Sequence, residues 1–395
     1  MLVVAAAQPP VPHGRIYSQL WGEHGESWDT TKIPDFTHAG YRGGEPVPDF
    51  KKGATVTDFG AVADGATDNT DAFRKAIAAC APDEAVYIPS GTYLLRDTLL
   101  ITKSNISLVS DAEKPAVLFF EKGLEELYPD FNSKESAKTK WSWSGAVILF
   151  AGKIHNVGIS NLDITFPDSA WAGHNFHERG YNGIGFGRHV ADGWVNNVTI
   201  TGADVGIWIE ASANHITADK LTLAFGPVRG AKALNGHHGL NVYGSYNLIE
   251  NFAIKGQFLH DLTVSGATAT YNVFHSGSCD DLFIDHHTHE PSRNLFTNLN
   301  AGAGTNLYRS GGTDQPAGLC FQETFWNITA DKDMDYPDEK DKGAKHSSNN
   351  VCVGIRTNRS SALGDANGNW FETIAPADLY PKDLYLAQMQ LRKNK

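Results

Sequence analysis

The sequence predicts an all-β fold: a single-stranded right-handed parallel β-helix, a solenoid, with an N-terminal capping helix and long loops. From about residue 90 to about residue 330 the helical period disappears, and short β-branched runs separated by Gly, Asn, Asp and Ser take over. The runs also recur. Asn247, Asn272 and Asn294 each open a run of the form Asn-[Leu/Val]-apolar, so the interval lies in the low twenties. Such a repeat, with three short strands in each, belongs to a parallel solenoid, whereas propeller blades repeat at roughly 40–45 residues and sandwiches keep no such phase.

Three segments are expected: an arm (1–53) packing on the solenoid, the β-helix (54–375) and a C-terminal tail (376–395). The first residues, "MLVVAAAQPPVP", read as the remnant of a secretory signal, so the protein is expected to be secreted or extracellular, periplasmic in a Gram-negative cell. Asp68–Cys80 reads as a short helix, with Asp68, Asn69 and Thr70 at its start and Ala72, Phe73, Ile77 and Cys80 on one face. A solenoid has an apolar open end, and this helix lies where it can cover it. A strand at 85–89 follows, then "NISLVS" (105–110), "HNVGISNLDITF" (155–166), "NNVTITGADVGIWIE" (196–210), "HITADKLTLAF" (215–225), "DLTVSGATATYNVF" (261–274) and "DDLFIDHH" (280–287). The recurrent asparagines are expected to stack their amides along the axis.

Thirty-three Lys and Arg against 45 Asp and Glu leave a net charge of −12 with no basic run, so nothing offers a nucleic acid its positive stripe. No apolar segment reaches the roughly 20 residues that span a bilayer, so no membrane partner is expected. Cys80, Cys279, Cys320 and Cys352 contain no CxxC pair, which argues against structural zinc and leaves room for one or two bridges.

Eleven of the 16 histidines lie between His174 and His289, and the winding gives that concentration a meaning. One coil advances by one strand spacing, about 4.8 Å, so side chains one repeat apart become neighbours. His189, His215, His238, His260 and His286 follow one another at roughly that repeat, and Arg309 continues the series. They are expected to line one face as a file of imidazoles ending near a guanidinium. Close imidazoles depress one another's protonation and leave neutral bases near pH 7. A long polar face also suits a polymer better than a small ligand. A divalent cation (calcium, manganese or zinc) is the competing use of "DDLFIDHHTH", where His287 and His289 share one face and His286 points away. No cofactor is otherwise required.

The stretches "VTDFGAVADGATDNTDAF" and "AVYIPSGTYLL" resemble the opening of the pectin-lyase-like superfamily, right-handed β-helix proteins that include pectate lyases and polygalacturonases. Further segments are similar to a group of secreted members of that superfamily: "IPDFTHAGYRGGEPVPD", "WSWSG" (141–145), "HERGYNGIGF" (177–186), "HDLTV" (260–264), "DHH" (285–287), "NLFTNL" (294–299), "YRSGG" (308–312) and "DLYLAQ". The resemblance implies a carbohydrate-active enzyme acting on a polysaccharide. It does not transfer a site: "CDD" (279–281) and "GHHG" (236–239) echo polygalacturonase motifs in the wrong order, and no Arg-Ile-Lys occurs.

Two chemistries compete. A lyase acting by β-elimination on a uronate needs a positive group at the carboxylate, a base and an acid. Arg309, or a cation held by Asp281 and Asp285, would neutralise; His260 or His286 would abstract the proton; Tyr181 or a second His would protonate the leaving oxygen, with His238 and Asp261 also expected among the catalytic residues. His177, Glu178, His287, Trp143 and Asp281 would contact the sugar chain. A glycoside hydrolase needs two carboxyl groups about 5–5.5 Å or 6.5–9.5 Å apart, for which Asp261 and Asp281, separated by close to one coil, are the leading pair, with Glu178 and Asp285 as further candidates. A non-catalytic carbohydrate-binding solenoid would stack sugars on Trp141, Trp143 and Trp171 and leave the histidines unexplained. The lyase is the expected function.

Overall fold

The computed structural model describes residues 14–129, 145–173, 178–287, 289–308, 321–334, 348–357 and 363–394. The chain winds as a parallel β-helix in which each coil lays its strands on those of the coil before. On one side the strands His155–Thr165, Ala191–Thr201 and Asn214–Ala224 pair in register, as do Leu295–Asn300, Thr324–Thr329 and Val351–Ile355 further along. On another, seven strands form a separate parallel sheet: Leu99–Ile101, Ile148–Phe150, Asn182–Phe186, Val205–Ile209, Gly236–Val242, Phe258–Ser265 and Ile284–His287. Leu240, Leu262 and Ile284 fill the lumen behind this sheet, stacked in register at an even interval. Each such side chain contributes about 1.5–3 kcal/mol by leaving water.

The corners explain the composition. Asn156, Asp192, His215, Tyr246, Tyr271 and Arg293 occupy one stacked corner, and each has a φ between 51° and 58°. A second corner runs through Asn161, Asn197, Lys220, Asn251, Ser276, Asn298 and Asn327 with the same left-handed backbone. Asn tolerates that conformation better than most residues, hence its abundance at the ends of the runs. Just past the first corner the expected amide ladder is present: Asn247 Nδ2 donates to Asn272 Oδ1 at 2.8 Å, Asn272 Nδ2 to Asn294 Oδ1 at 2.9 Å, and Asn294 Nδ2 to the Glu323 carboxylate at 2.9 Å.

The helix spans Thr70–Ala79 and buries Ala72, Phe73, Ala76 and Ile77, with the Phe73 ring 5.4 Å from that of Tyr93. Its start is tied down by Asn69, whose amide bridges Val62 and Thr67, and by Asp68, which accepts from the Thr70 N–H. The arm and the tail form one outer layer. Ile16–Tyr17 pairs with Leu379–Tyr380, and Trp21, Ile33, Phe36, Leu384 and Tyr385 pack on the outward residues Leu248, Val273, Leu295 and Trp326. The tail contains a helix, Leu384–Lys393, capped by the Asp383 side chain. Cys80 and Cys279 carry buried free thiols, and Cys320 lies outside the described residues.

Candidate functional site

The seven-stranded sheet turns a polar surface outward over Gly236–Val242, Phe258–Ser265 and Ile284–His287. In register, Asn241, Thr263 and Asp285 form one outward file, and Ser265 stands beside His287. His238 pairs with His260 one coil away. The ladder then passes over Gly239 and Asp261, and across that interruption the facing changes: His238 and His260 reach the outward groups while Leu240 and Leu262 enter the lumen. The two glycines of "GHHG" follow from close stacking. A Cβ on Gly236 would meet the Phe258 ring at 2.6 Å, and one on Gly239 would lie 2.5 Å from the Asp261 carbonyl oxygen. A buried ion pair between Arg229 and Asp204 holds the approach to this strand, and the Asp204 carbonyl accepts the N–H groups of His237 and His238.

Asp285 is the hub. Its buried Oδ2 lies 3.4 Å from His260 Nδ1 and 3.1 Å from His287 Nδ1, and it accepts the Thr263 hydroxyl at 3.5 Å. Thr263 Oγ1 is 2.8 Å from His238 Nδ1. Because the threonine proton is directed at Asp285, its lone pair receives the His238 Nδ1–H, which turns Nε2 to the other side of that ring. The rings of His237, His238 and His260 stack at 4.2 and 5.0 Å between successive centroids. His237 Nδ1 is 2.9 Å from Glu178 Oε1, and the Trp171 ring stands 6.4 Å from His237. Tyr243 borders the other end, 5.2 Å from the Trp208 ring. Its hydroxyl pKa is raised by burial and by the charges of Glu210 and Asp285, against the pull of a Ser265 hydrogen bond. Asn241 is fully buried, and neither polar atom of its amide has a hydrogen-bond partner among the described residues.

A family model described as rhamnogalacturonase A/epimerase, pectate lyase-like, matches residues 54–251, half of the chain. The chain belongs to that family. Its fold is therefore the right-handed parallel β-helix of the pectin-lyase-like proteins. Among curated proteins, the glucan 1,3-beta-glucosidase of Cochliobolus carbonum is 33% identical over 82 residues, 18% of this chain and 10% of that protein. The chain thus covers a tenth of the length of the curated relative it matches. The family 28 exopolygalacturonase of Yersinia enterocolitica is similar with a TM-score of 0.48 and 15% identity, over 77% of this chain and 70% of that one. The endo-xylogalacturonan hydrolase of Aspergillus tubingensis gives 0.48 and 12%, over 82% and 99%. The mannuronan C-5 epimerase A-module of Azotobacter vinelandii gives 0.42 and 13%, over 82% and 99%. None of these likenesses carries a site residue to this pectate lyase-like chain.

On this pectate lyase-like scaffold the structure brings together His238, His260, Asp285, His287 and Glu178 among the residues singled out in the sequence. Others fall elsewhere. His286 pairs with Val264, not with His260; its ring enters the lumen, 5.9 and 6.0 Å from the rings of Phe296 and Phe325, with Nε2 3.9 Å from Glu323. The expected five-membered file therefore does not form: His215 sits at a left-handed corner stacked on Tyr246, and His189 sits in a turn. Tyr181 packs in the core, 5.2 Å from the Phe166 ring, and burial raises its pKa.

Asp261 is buried, and its carboxylate accepts the backbone N–H groups of Phe258 and Phe283 at 3.1 and 2.8 Å. Burial pushes it up to about 8, against the pull of those donors. It braces the bend beside His260. Asp281 accepts the Thr305 N–H at 2.8 Å in a turn. Asp261 is thus tied to the backbone inside the bend, whereas Asp281 is half-buried and takes the Gln257 side-chain amide on its other oxygen at 3.4 Å. Arg309, His177, Trp143 and Trp141 lie outside the described residues. Sequence reasoning missed Thr263, Asn241 and Tyr243 as members of the site. Stepping back from Asp285 and His287 by the interval of the lumen leucines, twice, reaches all three and Ser265.

Proposed function

We propose that the chain is a secreted polysaccharide lyase that cleaves a uronate-containing polysaccharide by β-elimination on this His/Asp face. The observation that supports it is the relay His238–Thr263–Asp285, which orients the His238 ring through Nδ1 beside a buried carboxylate and leaves Nε2 as the nitrogen turned away from Thr263. In the step, His238 takes the proton α to the uronate carboxylate. The electron pair forms the ring double bond, and the glycosidic oxygen in the β position leaves with the proton of Tyr243. The raised pKa of Tyr243 keeps that proton in place until the oxygen leaves. Asp285 steadies the charge that His238 gains, as a buried carboxylate does behind a catalytic imidazole. Neutralising the substrate carboxylate falls to a positive group, for which Arg309 is the sequence's candidate.

Glycoside hydrolysis is the second reading. The family description, which names a rhamnogalacturonase, favours it, as do the two buried carboxylates Glu178 and Asp285. Incubation with a panel of uronate polysaccharides separates the two. Elimination creates a conjugated double bond and ultraviolet absorbance with each cut, whereas new reducing ends without that absorbance would reject the lyase.

A further inference from the structure

We propose that His260, Asp285 and His287 form a binding site for one divalent transition-metal ion of the zinc, cobalt or manganese type. One donor atom from each lies within 4.8 Å of the other two, and these three form the one such His/Cys/Asp/Glu group among the described residues. The two edges at Asp285 Oδ2, 3.4 Å to His260 and 3.1 Å to His287, match the separation of about 3–3.5 Å between neighbouring ligands held 2.0–2.2 Å from one ion. All three residues sit on strands. Asp285 and His287 are two apart on one strand and so share a face, and the ladder with Phe258–Ser265 fixes where His260 meets them.

The donor set selects the ion. Two imidazoles and one carboxylate suit zinc and its transition-metal neighbours, whereas calcium and magnesium take oxygen ligands. Three protein ligands leave coordination positions open, as at catalytic rather than structural sites. An outer layer is present as well: Thr263 donates to Asp285 and contacts His238, and such partners hold a ligand in its orientation. The trio differs from the pair expected in the sequence, His287 with His289: His289 has a φ of 61°, where the chain leaves the extended strand, and His260 from the neighbouring coil takes its place. The ion would lie next to His238 and supply the positive charge that a uronate carboxylate requires. That role rests on the β-elimination reading; the site itself does not.

The test uses the full chain, freed of metal with a chelator and titrated with Zn²⁺, Co²⁺, Mn²⁺ and Ca²⁺ by calorimetry, with the visible spectrum of Co²⁺ as a second readout. One Zn²⁺ or Co²⁺ per chain is expected, with Ca²⁺ at least 10-fold weaker and affinity lowered at least 10-fold in His287→Ala and in Asp285→Asn. His287 has 17% side-chain exposure, so its variant keeps the fold should the buried Asp285 variant not. Absence of saturable one-to-one binding, a preference for Ca²⁺, or unchanged affinity in His287→Ala overturns the site. Binding with no unsaturated product from any uronate polysaccharide upholds the site and removes the lyase reading.

Discussion

Asp285 Oδ2 and His260 Nδ1 lie 3.4 Å apart although more than a full coil of chain separates them. Winding alone does not produce this contact, because the residue opposite His260 by simple register is Leu282. The bend at Asp261 swings the imidazole toward the outward file, so the site depends on one irregular position per coil.

Thr263 links His238 to Asp285, and Thr263→Val removes the hydroxyl at nearly constant shape. We expect kcat to fall about 10–100-fold with KM little changed and the melting temperature close to that of the parent. Steady-state kinetics on the polysaccharide that proves active would check it, and an unchanged kcat would dismiss the relay.

His260 and His286 separate the site from the lumen. His260→Ala is expected to abolish turnover. His286→Leu, which puts an apolar side chain beside Phe296 and Phe325, should leave turnover intact and hold or raise stability. Loss of turnover in His286→Leu with an unchanged melting curve would contradict its placement in the core.

Asn241 buries an amide with no partner among the described residues, which costs about 1–3 kcal/mol. Asn241→Leu is expected to raise thermal stability while lowering activity, the signature of a group kept for substrate rather than for folding. Differential scanning calorimetry beside an activity assay reads both, and a destabilised variant would reject this assignment.

Gly239→Ala should destabilise by about 1–3 kcal/mol, because the added methyl would sit 2.5 Å from the Asp261 carbonyl oxygen in the next coil. Urea unfolding measures the difference, and an unshifted midpoint would mean that the coils are not stacked this closely.

His275 fastens the C-terminal helix to the solenoid. Its ring nitrogens lie 2.9 Å from Asp383 and 3.0 Å from Glu250, with Tyr385 packed against it. Burial alone would lower its pKa, but the two carboxylates outweigh that and raise it from 6.5 to about 9. A raised folded-state value stabilises fully below the unfolded value of 6.5, and the gain is lost as pH climbs through about 9. The melting temperature of the parent should therefore fall more between about pH 6.5 and pH 9.5 than that of His275→Gln. Parallel slopes for the two proteins would count against a charged His275.

Much of the architecture was legible in the residues. The recurrence of Asn247, Asn272 and Asn294 declared a solenoid, the amides stack as that recurrence requires, and the helix near residue 70 lies where its apolar face predicted. Periodic features survive translation into structure because every coil repeats the same packing problem. The phase within a coil was less legible. His260 and His286 look like successive members of one repeat, yet the lumen side chains Leu240, Leu262 and Ile284 recur at a shorter interval, and burial of these apolar groups sets the register. The longer step from His260 overshoots that register and sends His286 into the core. Tertiary structure alone decided which imidazoles meet, because the bend at Gly239 and Asp261 breaks the alternation of facing that a strand otherwise imposes. It also assigned Asp261 to the backbone and Asp285 to the site: the two carboxylates have similar neighbours in sequence, and only the groups stacked one coil away distinguish them.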